Sequence, residues 1–239
     1  MTKTLVTFLL DRTGSMSAVK RDTIGAFNTY LEELKKGDGI DFTFVQFDSV
    51  SIDKICVREP IATVVPLNEN TYQPRAWTPL IDAAYKTIKA TEEALKDMPT
   101  DTKVVVCIQT DGEENASTEH TWEELNALIK EKTALNWQFN FMGVGLDAYN
   151  QGARMGIARG STVAYDPTDT VSNLAAFAAA ADNTVAYSTG MARNTAYSAD
   201  QKLAAGDKFD TPGTTHGKAK VTSSKTPKRK PPIVEDFNL

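Results

Sequence analysis

The chain has 239 residues, 41% hydrophobic and 24% charged, with 26 basic and 31 acidic side chains for a formal net charge of -5. A chain of this length buries ~70% of the surface its unfolded form exposes, so its core requires neither disulfides nor a structural metal. Its two cysteines, Cys56 and Cys107, sit in apolar runs and read as buried free thiols, while His120 and His216 stand too far apart for a zinc cage or a histidine triad.

Lys3 to Leu10 is a near-continuous apolar and β-branched run ending at Asp11, the pattern of a strand buried on both faces. It is too short for the apolar core of a secretory leader, and no stretch reaches the ~18 apolar residues of a membrane span. The expected location is the cytoplasm. Val19, Ile24, Phe27 and Leu31 then fall at helical spacing until Gly37-Asp38-Gly39. Ile40 to Phe47 and Val50 to Val57 predict an antiparallel hairpin, and Pro79 to Met98 a helix. Lys103 to Thr110 predicts a second buried strand, followed again by an aspartate, Asp111. Beyond it come a helix (121–134) with His120 in its first turn and no role, a strand (138–144), a short helix (149–155), a short strand (162–165), an alanine-rich helix (171–181) and weaker helical material to 205. This alternation predicts an α/β fold: a doubly wound, mostly parallel sheet with one antiparallel edge strand and helices on both faces.

Residues 206–239 carry seven basic side chains against four acidic ones and four of the ten prolines, which leaves -8 on residues 1–205. The expected division is therefore a folded domain over 1–205 and a flexible basic tail over 206–239, ending in a possible docking peptide, Ile233 to Leu239. An acidic body does not attract nucleic acid.

In doubly wound sheets ligands gather at the carboxyl ends of the strands, where the strand order reverses. Two buried strands here deliver an aspartate to that edge. In Asp11-Arg12-Thr13-Gly14-Ser15 a carboxylate and two hydroxyls follow at two-residue steps and can converge on one point. Oxygen donors of this kind suit a hard divalent cation, Mg²⁺ first, with Mn²⁺ or Ca²⁺ as substitutes. Asp111-Gly112 supplies a second carboxylate, and Thr78, just ahead of Pro79 and a helix, a third hydroxyl. Each segment has a plainer reading, with Ser15 and Ser17 as helix caps and Asp111-Gly112 as a turn pair, but their joint occurrence at successive strand ends favours a metal site.

The three segments, in this order, resemble the metal-ion-dependent adhesion site of the von Willebrand factor A domain: Asp-x-Ser-x-Ser after the first strand, a threonine before a later helix, and an Asp-Gly turn after the fourth strand. Thr13 stands where that family more often has serine and keeps the hydroxyl. The resemblance covers roughly residues 1–190, and the segments Asp11 to Met16 and Thr110 to Asn115 look like those of stand-alone domains of bacteria and their phages, which implies a virion or host cytoplasm as the location if the chain is phage-encoded. It implies that Thr13, Ser15 and Thr78 lie closest to the metal, that Asp11 and Asp111 hold it directly or through water, and that an open coordination position takes a carboxylate from a protein partner. Arg75, Trp77, Glu113, Glu114 and Asn115 are expected on the partner-binding rim and Asp48 in support behind the ligands, all at a surface cleft. The implied function is non-enzymatic.

Three alternatives are weighed against it. A Mg²⁺-dependent phosphohydrolase of the haloacid dehalogenase type needs an acid-base aspartate where Thr13 stands. A dinucleotide site at Gly143-Val144-Gly145 lacks its third glycine. An assembly protein binding through its tail, with a vestigial metal site, is compatible with the sequence.

Overall fold

A computed structural model of the chain describes residues 2–210. Six strands form one sheet: β1 (Thr4–Asp11), β2 (Ile40–Phe47), β3 (Ile52–Pro60), β4 (Lys103–Gln109), β5 (Gln138–Val144) and β6 (Thr162–Tyr165). Their spatial order is β3-β2-β1-β4-β5-β6, parallel throughout except that β3 runs antiparallel to β2 along one edge. The chain therefore has the predicted doubly wound α/β architecture. Strand order reverses at β1, which pairs with β2 on one side and β4 on the other, so the carboxyl ends of β1 and β4 open side by side at the switch point.

All eight residues of β1 are buried, as the absence of polar alternation predicts for a central parallel strand. Alternate side chains feed two cores. Val6, Phe8 and Leu10 pack under α1 (Lys20–Leu34) and α5 (Thr170–Ser188), with Phe8 in edge contact with Phe27 and Tyr30. On the other face Leu9, Val106 and Ile108 pack under α2 (Leu80–Leu95), α3 (Trp122–Ala134) and α4 (Gly145–Met155).

Three elements differ from expectation. The first helix is preceded by 3-10 turns over Gly14–Val19, and no serine caps either segment: Thr13 and Val19 hold the two cap positions, and the Ser15 hydroxyl donates to Asp111. The fourth helix begins at Gly145 rather than near Tyr149; Gly145 has φ +64°, which a glycine adopts without penalty at a tight strand-to-helix turn. The fifth runs to Ser188, seven residues past the alanine-rich stretch, since Thr184 and Tyr187 are buried on its inner side. Two smaller corrections concern single residues. His120 precedes α3, whose N-cap is Thr121, and Cys56 is only half-buried on the edge strand, whereas Cys107 is fully buried. Burial pushes the Cys56 thiol up to about 11 and the Cys107 thiol up to about 12.

Packing continues past 205. A short helix, α6 (Ala199–Ala204), is followed by Asp207, whose carboxylate accepts from the Ala164 amide at 3.0 Å and from the Tyr149 hydroxyl. The expected tail beyond Asp210, including Ile233 to Leu239, lies outside the described residues.

Candidate metal centre

The five expected ligands meet at the carboxyl ends of β1 and β4. Thr13 Oγ1 and Ser15 Oγ lie 3.2 Å apart, and Ser15 Oγ donates to Asp111 Oδ1 at 2.6 Å. Asp11 accepts at one carboxylate oxygen from the Thr13 amide, 2.7 Å, and at the other from the Thr110 hydroxyl, 2.5 Å. Thr78 completes the group across Gly112. A Cβ built on Gly112 would stand 3.4 Å from Thr78 Oγ1 and 3.7 Å from Ser15 Oγ, so the missing side chain leaves the space between two hydroxyls open.

Burial contradicts the expectation of a surface cleft. Asp11 is 0%, Thr13 1% and Thr78 3% exposed; only Ser15 is exposed and Asp111 half-buried. Removal from water pushes the Asp11 carboxyl up to about 6 against the lowering effect of its hydrogen bonds, and the neighbouring Asp111 adds to the rise. Burial likewise raises Asp111. Two carboxylates thus share a pocket in which their charge is poorly compensated.

The nearest candidate cation in sequence, Arg12, turns away. Its Nε donates to Asp48 Oδ2 at 2.9 Å, and Arg75 Nε reaches the same oxygen at 2.9 Å. Asp48 also accepts from the Val50 and Ser51 amides at 2.7 and 3.0 Å. Burial would raise its carboxyl, but Arg75, those two amides and Arg12 outweigh it and hold the group below its ordinary value. Asp48 therefore acts by tying the Arg12 and Arg75 segments together. Arg75 in turn donates its amide to the Arg12 carbonyl, and Gly14 donates to the carbonyl of Ala76, held in the left-handed region at φ +61°.

The expected rim residues separate into two groups. Trp77 is 69% exposed and Glu113 is exposed. Glu114 and Asn115 spend their acceptors internally: Glu114 on the amides of Ile81, Ala116 and Ser117, and Asn115 Oδ1 on the amide of Thr78. Sequence reading assigns no role to Thr110, which orients Asp11, or to Tyr72, whose buried hydroxyl donates to the Asp11 carbonyl at 2.5 Å. A hydroxyl residue directly before the second strand-end aspartate is the one signal that points to Thr110.

Among the described residues no three His, Cys, Asp or Glu side chains gather at one point. The donors at this centre are instead three neutral hydroxyls and two carboxylates, a low-charge oxygen set that fits a hard divalent cation retaining an exchangeable position.

No family model and no curated protein sequence matches the chain. Solved structures do. The PilB minor pilin from Streptococcus sanguinis aligns over 77% of this chain and 61% of its own, at 14% identity and TM-score 0.56. A von Willebrand factor type A protein from Catenulispora acidiphila aligns over 77% and 43%, at 13% identity and TM-score 0.54. Proximal thread matrix protein 1 from the mussel byssus aligns over 76% and 47%, at 15% identity and TM-score 0.54. The chain spans about half the length of these structures, and at such identities the likeness establishes the fold: that of a von Willebrand factor A domain.

Proposed function

We propose, with the von Willebrand factor A fold as the premise, that the protein is a non-enzymatic binding module. Asp11, Thr13, Ser15, Thr78 and Asp111 hold a divalent cation, Mg²⁺ with Mn²⁺ or Ca²⁺ as substitutes, and a carboxylate of a protein partner is captured through it. The observation that carries this reading is the meeting of three hydroxyls and two carboxylates at the strand-order switch point, with Asp11 buried and Arg12 turned away from it.

Bound there, the cation supplies a Lewis-acidic position for one carboxylate oxygen. The chain's own residues do the rest. Thr110 and the Thr13 amide fix the Asp11 carboxylate, and Ser15 and Asp111 fix one another, so few groups must reorganise on binding. Neutral hydroxyls leave the cation's charge less quenched than a carboxylate cage does, which favours an anionic partner group. Trp77 and Glu113, both exposed and close in sequence to proposed ligands, are the rim residues assigned to partner selection, Trp77 by apolar burial and Glu113 by repelling extra acidic residues. Among the described residues no helix is long and apolar enough to cross a membrane.

The test is selection from a random peptide library on the immobilised protein in Mg²⁺. The expected peptides share an aspartate, a glutamate or a free carboxyl terminus, and elute in EDTA. Peptides retained equally in EDTA, or equally by Thr78→Ala, would contradict the mechanism and return attention to the tail.

A further inference from the structure

Thr78 sits in a loop just ahead of α2, and a helix start leaves amide groups without partners inside the helix. Here two of them, the amides of Ile81 and Asp82, are satisfied from a distance, by Glu114 and Ser117. The Ile81 amide donates to Glu114 Oε2 at 2.8 Å and the Asp82 amide to Ser117 Oγ at 3.1 Å. The exchange is reciprocal, because the buried Asp82 carboxylate accepts from the amides of Thr118, Glu119 and His120 at 2.8 to 3.2 Å. Glu114 also closes its own loop by accepting from the amides of Ala116 and Ser117 and from the Ser117 hydroxyl. Packed on this block, the His120 ring stacks on Tyr85 of α2 at 3.7 Å.

One residue connects the block to the metal centre on both sides of its chain. Asn115 Oδ1 accepts from the Thr78 amide at 2.9 Å, and the Asn115 amide donates to the Thr78 carbonyl at 3.0 Å. Thr78 is thus pinned at both its backbone polar groups by a residue four positions after Asp111. The distance between the Thr78 hydroxyl and the Asp111 loop is therefore set by Asn115 rather than by packing of α2 alone.

We infer that Asn115 is a positioning residue of the metal centre: by holding the Thr78 backbone it fixes the Thr78 hydroxyl beside the Asp111-Gly112 turn, with Glu114, Ser117 and Asp82 bracing it. This rests on the reading of the five residues as cation ligands and adds which residue sets their spacing. Groups behind the ligands of metal sites typically contribute 10–100-fold to affinity, and Asn115 acts at that level through the backbone of a ligand.

The experiment is a double-mutant cycle read by calorimetric titration of Mg²⁺ into the full chain at neutral pH: wild type, Asn115→Ala, Thr78→Ala and both together, with melting in EDTA as the control for folding. Expected is a loss of about tenfold for Asn115→Ala and no further loss when it is added to Thr78→Ala, since no hydroxyl then remains to be placed. Asn115→Asp keeps the acceptor for the Thr78 amide and is expected to bind no more weakly than wild type. That variant decides the matter if Asn115→Ala melts early. Equal losses from Asn115→Ala in both backgrounds, or a tenfold loss in Asn115→Asp, would overturn the inference. A Thr78→Ala protein that binds Mg²⁺ as wild type does would instead overturn the ligand assignment itself, and a wild-type affinity matched by Asn115→Ala would leave that assignment standing and remove only the positioning role.

Discussion

At the scale of single residues, the proposed centre would trade stability for binding. Asp11 is buried against another carboxylate, and a carboxyl displaced from 3.8 to about 6 carries about 3 kcal/mol of disfavour for its charged form at neutral pH. Asp11→Asn keeps an acceptor for the Thr13 amide, and its amide nitrogen can donate to the Thr110 hydroxyl, reversing that hydrogen bond. In EDTA this variant is expected to melt higher than wild type, by the equivalent of about 1–3 kcal/mol, and to gain nothing from Mg²⁺. A lower melting temperature in EDTA would show that the charge is already compensated. Gly112 gives a second test. Its Cβ position lies at ordinary contact distance from Thr78 Oγ1 and Ser15 Oγ, so Gly112→Ala is expected to fold normally and to lose Mg²⁺ binding because a methyl occupies the space between the hydroxyls. Undiminished Mg²⁺ affinity in calorimetry would place the cation elsewhere.

At the scale of elements, the loops after β1 and β2 and the loop before α2 are joined through one buried acid. Asp48 pairs with Arg12, whose side chain is 9% exposed, and with the half-exposed Arg75. Removing it leaves the buried Arg12 guanidinium with the partly exposed Asp53 as its remaining carboxylate, at 2.9 Å, so Asp48→Ala is expected to destabilise by about 3 kcal/mol in denaturant titrations. The sign of the pH dependence follows from the lowered carboxyl. Its contribution is present above the unfolded value near 3.8 and is lost as pH falls through the lower folded value. Wild-type stability should therefore fall steeply below pH 4, and Asp48→Asn, weaker at neutral pH, should show a shallower fall over the same range. Parallel curves would mean that the Arg12-Asp48-Arg75 link contributes little. Such links were not legible in the sequence. Strands such as Thr4–Asp11 and Lys103–Gln109 were, because burial on both faces writes an unbroken apolar run. The five proposed ligands were nameable because they fall in short motifs at strand and helix ends. Arg12, Tyr72, Thr110 and the bracing roles of Glu114 and Asn115 depend on partners far along the chain or on a neighbouring loop's path, which spacing does not encode.

At the scale of the molecule, acidic residues dominate residues 1–205 and basic ones the rest, and the five proposed cation ligands all lie in the first part. We propose that the folded unit suffices for cation binding. Since packing continues to Asp210, a chain truncated after that residue, rather than after 205, is expected to keep the melting temperature and the Mg²⁺ affinity of the full chain. A tenfold weaker affinity in the truncated chain would bring the tail into the site. The central claim, that hydroxyl oxygens hold the cation, meets its most direct test at Thr78. Calorimetric titration of Mg²⁺ into wild type, Thr78→Ser and Thr78→Val compares proteins that differ at that position in little but one oxygen. The account predicts matching affinities in wild type and Thr78→Ser and a much weaker, still measurable one in the near-isosteric Thr78→Val; equal heats and affinities in all three would contradict it.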